Sequence, residues 1–97
     1  MGLFDSVFGG NFRNNYFEKN PSSNGWYTCK ACNSGLRKGD SNLTIDHIIP
    51  QKYKGSNSVM NLQVLCRSCN SKKKAKINTL TLQYSGEALI REIRNIF

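Results

Sequence analysis

Histidine occurs once in this chain, as His47, and proline twice, as Pro21 and Pro50. Any chemistry that needs an imidazole therefore rests on one residue. Acidic side chains are also scarce: six Asp and Glu stand against fourteen Lys and Arg, a formal charge of +8. That deficit points to a polyanionic partner bound in a salt-sensitive way, against the plainer reading of a solvated basic surface. No apolar run approaches the roughly 20 residues that cross a bilayer, which argues against a membrane partner. The first residues have neither the basic region nor the long apolar core of a secretory signal, so the expected setting is cytoplasmic or otherwise intracellular, with thiols kept reduced for metal. Internal repeats and low-complexity linkers are missing too, and residues 1–97 read as one domain. A chain of this size buries only a modest core, which calls for a metal or another staple.

The four cysteines supply a candidate. They fall as Cys29-x2-Cys32 and Cys66-x2-Cys69, two knuckles whose thiolates can meet around one tetrahedral Zn(II). The spacing within each pair is too short to favour an internal structural disulfide; disulfides and free thiols are the competing assignment. The interval between the knuckles is longer than a simple zinc ribbon needs, and it contains Asp46-His47. A functional insertion between two structural clamps is the simplest account.

Within residues 42–75 the pattern reads strand, loop, strand, helix. Leu43, Ile45, Ile48 and Ile49 give a short apolar run that carries Asp46-His47 at its end and stops at Pro50. A polar loop over 51–58 follows, and then Leu62, Val64 and Leu65 lead into Cys66. From Asn70 the chain turns to Ser71 and good helix formers, among them Lys72, Lys73, Lys74 and Lys76. Phosphodiester hydrolysis needs a proton acceptor, an aligned water and neutralisation of developing charge. His47 is neutral often enough near pH 7 to accept a proton. Asp46 is a hard oxygen donor suited to Mg(II), and Asn70 offers an amide oxygen that can complete a metal site opposite it. Adjacent side chains of a strand point to opposite faces, so Asp46 and His47 share a cleft only if the strand ends or bulges there. Asn61 stands where its hydrogen bonds can orient the loop or the His47 ring. The four lysines, with Arg67, are candidates for holding a nucleic-acid backbone.

The flanks read as support. Residues 1–10 place Leu3, Phe4, Val7 and Phe8 on one side of a short docking helix ended by Gly9-Gly10. Gly2 and Ser6 match an N-myristoylation pattern that, with no polybasic segment nearby, is read as chance. Phe12, Tyr16 and Phe17 suit one helical face before turns at Asn20-Pro21 and Asn24-Gly25. Trp26 and Tyr27 read as packing beside the first knuckle rather than nucleobase platforms. Arg37 and Lys38, in a turn-rich segment, touch phosphate or face solvent. Leu80, Leu82 and Tyr84 alternate like a short strand, and Ser85 with Glu87 opens a C-terminal amphipathic helix through Leu89, Ile90, Ile93, Ile96 and Phe97.

The segments YTCKACN, LTIDHIIP and NLQVLCRSCNSKKKAK, within residues 27–76, resemble the HNH endonuclease family, whose core is the ββα-metal or His-Me finger fold. The resemblance implies an α+β domain stapled by a four-cysteine zinc site, with an N-terminal docking segment over 1–26 and a strand and helix over 77–97. It implies a metal-dependent endodeoxyribonuclease that leaves 5′-phosphate and 3′-hydroxyl ends, with His47 as general base, Asp46 as a ligand of catalytic Mg(II) or Mn(II), and Asn61 holding the His47 loop. One position departs. The family pattern continues C-x-x-C-H, whereas here Asn70 follows Cys69; asparagine binds hard cations through its carbonyl oxygen but lacks a basic nitrogen, which alters metal preference. The expected partner is double-stranded DNA, read with little sequence preference, and use of such a core as a toxin would add a protein inhibitor. Two rivals are a non-catalytic zinc-knuckle nucleic-acid-binding module, for which Asn70 is the best argument, and a zinc-held interaction domain.

Overall fold

In the computed structural model, which describes residues 11–97, the chain runs α1 (Phe12–Lys19), β1 (Trp26–Thr28), β2 (Gly35–Arg37), β3 (Leu43–His47), β4 (Leu62–Cys66), α2 (Arg67–Leu80) and α3 (Gly86–Arg94). The docking helix and acylation pattern expected over 1–10 lie outside the described residues. The class is α+β: among the described residues, two two-stranded antiparallel sheets, β1·β2 and β3·β4, are accompanied by three helices.

The first knuckle is a hairpin rather than a run of turns. β1 and β2 pair from Trp26↔Arg37 to Thr28↔Gly35, with Cys29 and Cys32 in the connection between them. Three-residue strands are too short for alternation to show in sequence. Asn33 takes a left-handed φ of 65° in that connection, a conformation asparagine tolerates better than most side chains.

β3 and β4 pair in the register Leu43↔Cys66 to His47↔Leu62, and β4 is buried along its whole length. α2 starts at Arg67, three residues ahead of the expected Asn70, because the Cys66 sulfur accepts the Cys69 N–H (3.4 Å) as N-cap. Capping by a cysteine falls outside the Ser, Thr, Asp and Asn preference that places helix starts in sequence. The helix then continues through Leu80, so no strand forms over 79–84; residues 81–83 are turn and Leu82 is 85 % exposed. Leu80 belongs instead to a stripe of Cys69, Lys73, Ile77 and Leu80 buried at helical spacing. α3 follows its sequence pattern, with Leu89 and Ile93 buried, but Phe97 falls beyond the helix end and is exposed.

Apolar side chains gather into two clusters. One joins Phe17, Leu36, Leu43, Ile45, Val64 and Leu65 to the buried cysteines; the other joins Ile49 to Ile77, Leu80, Leu89 and Ile93. The chain crosses from the first cluster to the second between Ile45 and Ile49. Asp46, His47 and Ile48 make that crossing, so the candidate chemistry is held from both sides.

Candidate active site

The cysteine sulfurs all lie within 4.8 Å of one another, and those of Cys32 and Cys66 are 3.8 Å apart. A tetrahedral Zn–S length of about 2.3 Å requires sulfurs about 3.8 Å apart, so the four cysteines are placed to hold one structural metal ion of zinc's kind. Backbone N–H groups already point at these sulfurs: Cys66 donates to Cys29 Sγ (3.3 Å) and Cys69 to Cys66 Sγ (3.4 Å). The crowding splits the thiols' proton affinities. Hydrogen bonding with Ser34 lowers Cys32 to about 6, while sharing a proton with the Cys66 thiol, together with burial, pushes Cys69 up to about 12. A dication that stabilises all four thiolates removes that conflict.

Asp46 and His47 end β3 and line one cavity of about 280 Å³ with Asn70, Lys73 and Lys74. Their side chains nonetheless find different partners, as strand pleat requires. Asp46 faces α2: its Oδ2 accepts from Gln63 Nε2 (2.9 Å), directly across the ladder, and from Lys73 Nζ (2.5 Å). Both bonds fall on Oδ2, which leaves Oδ1 available to a ligand. Lys73 is only 2 % exposed and also donates to the His47 and Ile48 carbonyls, each at 2.9 Å. Its three protons are thus taken up inside the fold, and residue 73 lies on the inward stripe of α2, apart from the exposed lysines of the same run.

Asn70 is the fourth residue of α2. Its Nδ2 donates to Thr44 Oγ1 (3.0 Å), while its Oδ1 is buried and has no hydrogen-bond partner. An orphaned buried carbonyl costs about 1–3 kcal/mol. Asn70 and Asp46 line the same cavity, and amide and carboxylate oxygens are the kind of donor hard divalent cations take.

His47 turns the other way. Its Nε2 lies 2.7 Å from Asn57 Oδ1, and the Phe12 ring meets the imidazole edge-on at 4.5 Å between centroids. Asn61 stays out of the cavity and clamps the loop behind it. Its Oδ1 accepts from Ile49 N–H (2.9 Å), and its Nδ2 donates to the carbonyls of Ile49 (3.0 Å) and Ser56 (2.8 Å). Gly55 completes the clamp, since a Cβ there would collide with the Ile49 carbonyl oxygen and crowd the Asn61 amide. Gly55→Ala is expected to cost about 3 kcal/mol, the upper end of ordinary overpacking. Thermal melts should show a loss of roughly 10–20 °C, and an unchanged melt would mean the loop has room to move.

The basic residues of α2 part company. Arg67, Asn70 and Lys74 recur at i, i+3 and i+7, and so share one face. Lys74 lines the cavity, whereas Lys72 and Lys76 line a separate groove with Glu92 and Phe97.

Residues 29–76 match the family model described as HNH endonuclease. Over that stretch, just under half of the chain, the protein is similar to the HNH endonuclease family. Comparison with curated proteins and with solved structures finds no match. The HNH segment takes in both knuckles, β3, β4 and α2 as far as Lys76, and leaves α1 and α3 outside. The family is one of nucleases, which makes endonuclease activity on nucleic acid the coarse functional assignment. Sequence reasoning on the HNH segment missed Gln63, Gly55 and Asn57. Gln63 reads as the polar member of an alternating run until β4 proves buried along its whole length; Asn57 looks like any polar loop residue until the loop is folded. No helix among the described residues is long and apolar enough to cross a membrane.

Proposed function

We propose that the HNH segment is a metal-dependent endonuclease that hydrolyses DNA phosphodiesters with little sequence preference, its four cysteines holding zinc. The observation that carries the reading is the buried, unpartnered Oδ1 of Asn70 in the cavity shared with Asp46 and His47. Asp46, through Oδ1, and Asn70, through Oδ1, would hold Mg(II) or Mn(II). Bound there, the ion supplies neutralisation of charge on the phosphate and leaving oxygen. His47 accepts the proton of the attacking water; Asn61 keeps the loop that follows His47 in place; Gln63 and Lys73 hold Asp46 to one rotamer. Arg67 and Lys74 flank Asn70 and take the DNA backbone.

One observation favours the rival binding module. Lys73 already neutralises Asp46, so the cavity has a built-in cation. Nicking of supercoiled plasmid across Mg(II), Mn(II) and Zn(II) decides between the two. Wild type should nick with Mg(II) or Mn(II), and Asn70→Ala and Asp46→Asn should recover part of their lost activity in excess metal. Asn70→His should stay active and shift preference towards metals that favour imidazole. DNA binding with no cleavage in any metal gives the rival the site.

Affinity for duplex DNA should fall steeply with salt. Changing Arg67 and Lys74 to Gln should lower the slope of log K against log salt by about 2, whereas the same change at Lys72 and Lys76 should move it less. Titrations over a salt series read this directly, and equal effects from both pairs would dismiss the one-face track.

A further inference from the structure

We propose that Asn57 is a positioning residue for His47, holding the imidazole in the tautomer that carries its proton on Nε2 and leaves the Nδ1 lone pair to do the work. The inference deepens the nuclease reading and rests on it for the function of the ring, although not for the contact itself.

Asn57 Oδ1 lies 2.7 Å from His47 Nε2 and also accepts from Gln51 Nε2 at 3.1 Å. An amide oxygen has lone pairs and no proton. Because Gln51 presents an NH2 donor to that same oxygen, the oxygen is an acceptor for both neighbours, and His47 must supply the proton of their bond. Nε2 is therefore the protonated nitrogen, and Nδ1 is the nitrogen that can accept a proton. The remaining freedom of the ring is rotation, and the Phe12 edge at 4.5 Å restricts it. A ring held by an acceptor on one nitrogen and a hydrocarbon edge on its face presents the other nitrogen in one direction, the arrangement a general base requires.

Asn57 reaches this place because its loop is tied down independently. Asn61 grips the Ile49 backbone and the Ser56 carbonyl on either side of the loop, and the Gly55 N–H donates to the Pro50 carbonyl at 3.0 Å. Removing the Asn57 side chain thus leaves the loop's backbone bonds intact.

His47 is the only histidine in the chain, so an imidazole 1H–15N spectrum of the full-length, zinc-loaded protein reports it without ambiguity. On the neutral ring, wild type should show protonation at Nε2 and a ring N–H slow enough in exchange with water to be seen. Asn57→Ala should lose that proton signal to exchange while the backbone amide spectrum stays superimposable. Its kcat for plasmid nicking should fall by about 10–100-fold, the range for lost partners that orient site ligands, with KM for DNA and the metal-activation constant unmoved. Asn57→Asp, which keeps an acceptor oxygen, should restore both the ring proton and the rate. A wild-type ring protonated at Nδ1, or a ring proton that survives Asn57→Ala, overturns the proposal whatever the cleavage data show. A wild type that never cuts, yet shows the ring proton and loses it in Asn57→Ala, sinks the nuclease reading and leaves the positioning contact standing.

Discussion

Replacing His47 with alanine is expected to lower DNA cleavage by about 10²–10⁴-fold, the usual value of a positioned proton acceptor. Excess Mg(II) or Mn(II) should not repair the loss, because Asp46 and Asn70 both remain. The substitution is also clean: the imidazole contacts Asn57 and Phe12, so its removal strands no buried charge. Asp46 offers no such freedom. Its carboxylate satisfies a lysine that is 2 % exposed, and breaking a buried pair from one side costs about 3–5 kcal/mol. A loss in Asp46→Ala would therefore mix chemistry with unfolding; the isosteric Asp46→Asn keeps an acceptor oxygen for Lys73 but not the charge, so its rate is read beside its melt. If His47→Ala cuts plasmid as fast as wild type at equal protein and metal, the assignment of the base is wrong.

Cys66→Ser should unfold the domain. Serine is a good N-cap, so the substitution keeps the cap on α2 that the Cys66 sulfur supplies, and removes a thiolate only. Structural zinc contributes about 10–16 kcal/mol of apparent folding energy in small domains, as much as the whole stability of a typical protein, about 5–15 kcal/mol. Two core segments meet at this one residue, since the Cys66 N–H also bonds Cys29 Sγ across from the first hairpin. Circular dichroism and metal analysis should show lost structure and lost zinc together, and chelation of the wild type should do the same. A folded, metal-free Cys66→Ser protein would make the cluster dispensable.

The paired strands, the knuckles and the neighbourhood of Asp46, His47, Asn61 and Asn70 were legible because each has a short-range signature: alternation, fixed cysteine spacing, adjacency. The failures share one cause, which is partnership across distance. Lys73 reads as one member of a basic run until α2 is wound and its inward stripe counted from Cys69. The extra turn at the start of α2 depends on a sulfur that caps only because Cys66 is drawn to the cluster. Leu80 and Leu82 alternate like a strand, yet just one of them meets the second apolar cluster. Asn57 has no local mark at all, because what selects it is a ring ten residues away.

α2 carries a cluster cysteine, Asn70, Lys73 and Lys74 on successive turns, whereas the loop between Ile49 and Asn61 is tied at separate points, Gly55 to Pro50 and Asn61 to Ser56. The two segments should thus tolerate changes of length very differently. One residue inserted between Cys69 and Lys73 would rotate everything beyond it by about 100°, swinging the ammonium away from Asp46. An extra residue or two between Ser56 and Asn61 turns no α-helix and is taken up between those two tied residues, although Asn57 would lose its address. Length variation in this fold belongs in the loop, and the helix behaves as a ruler whose divisions cannot be respaced.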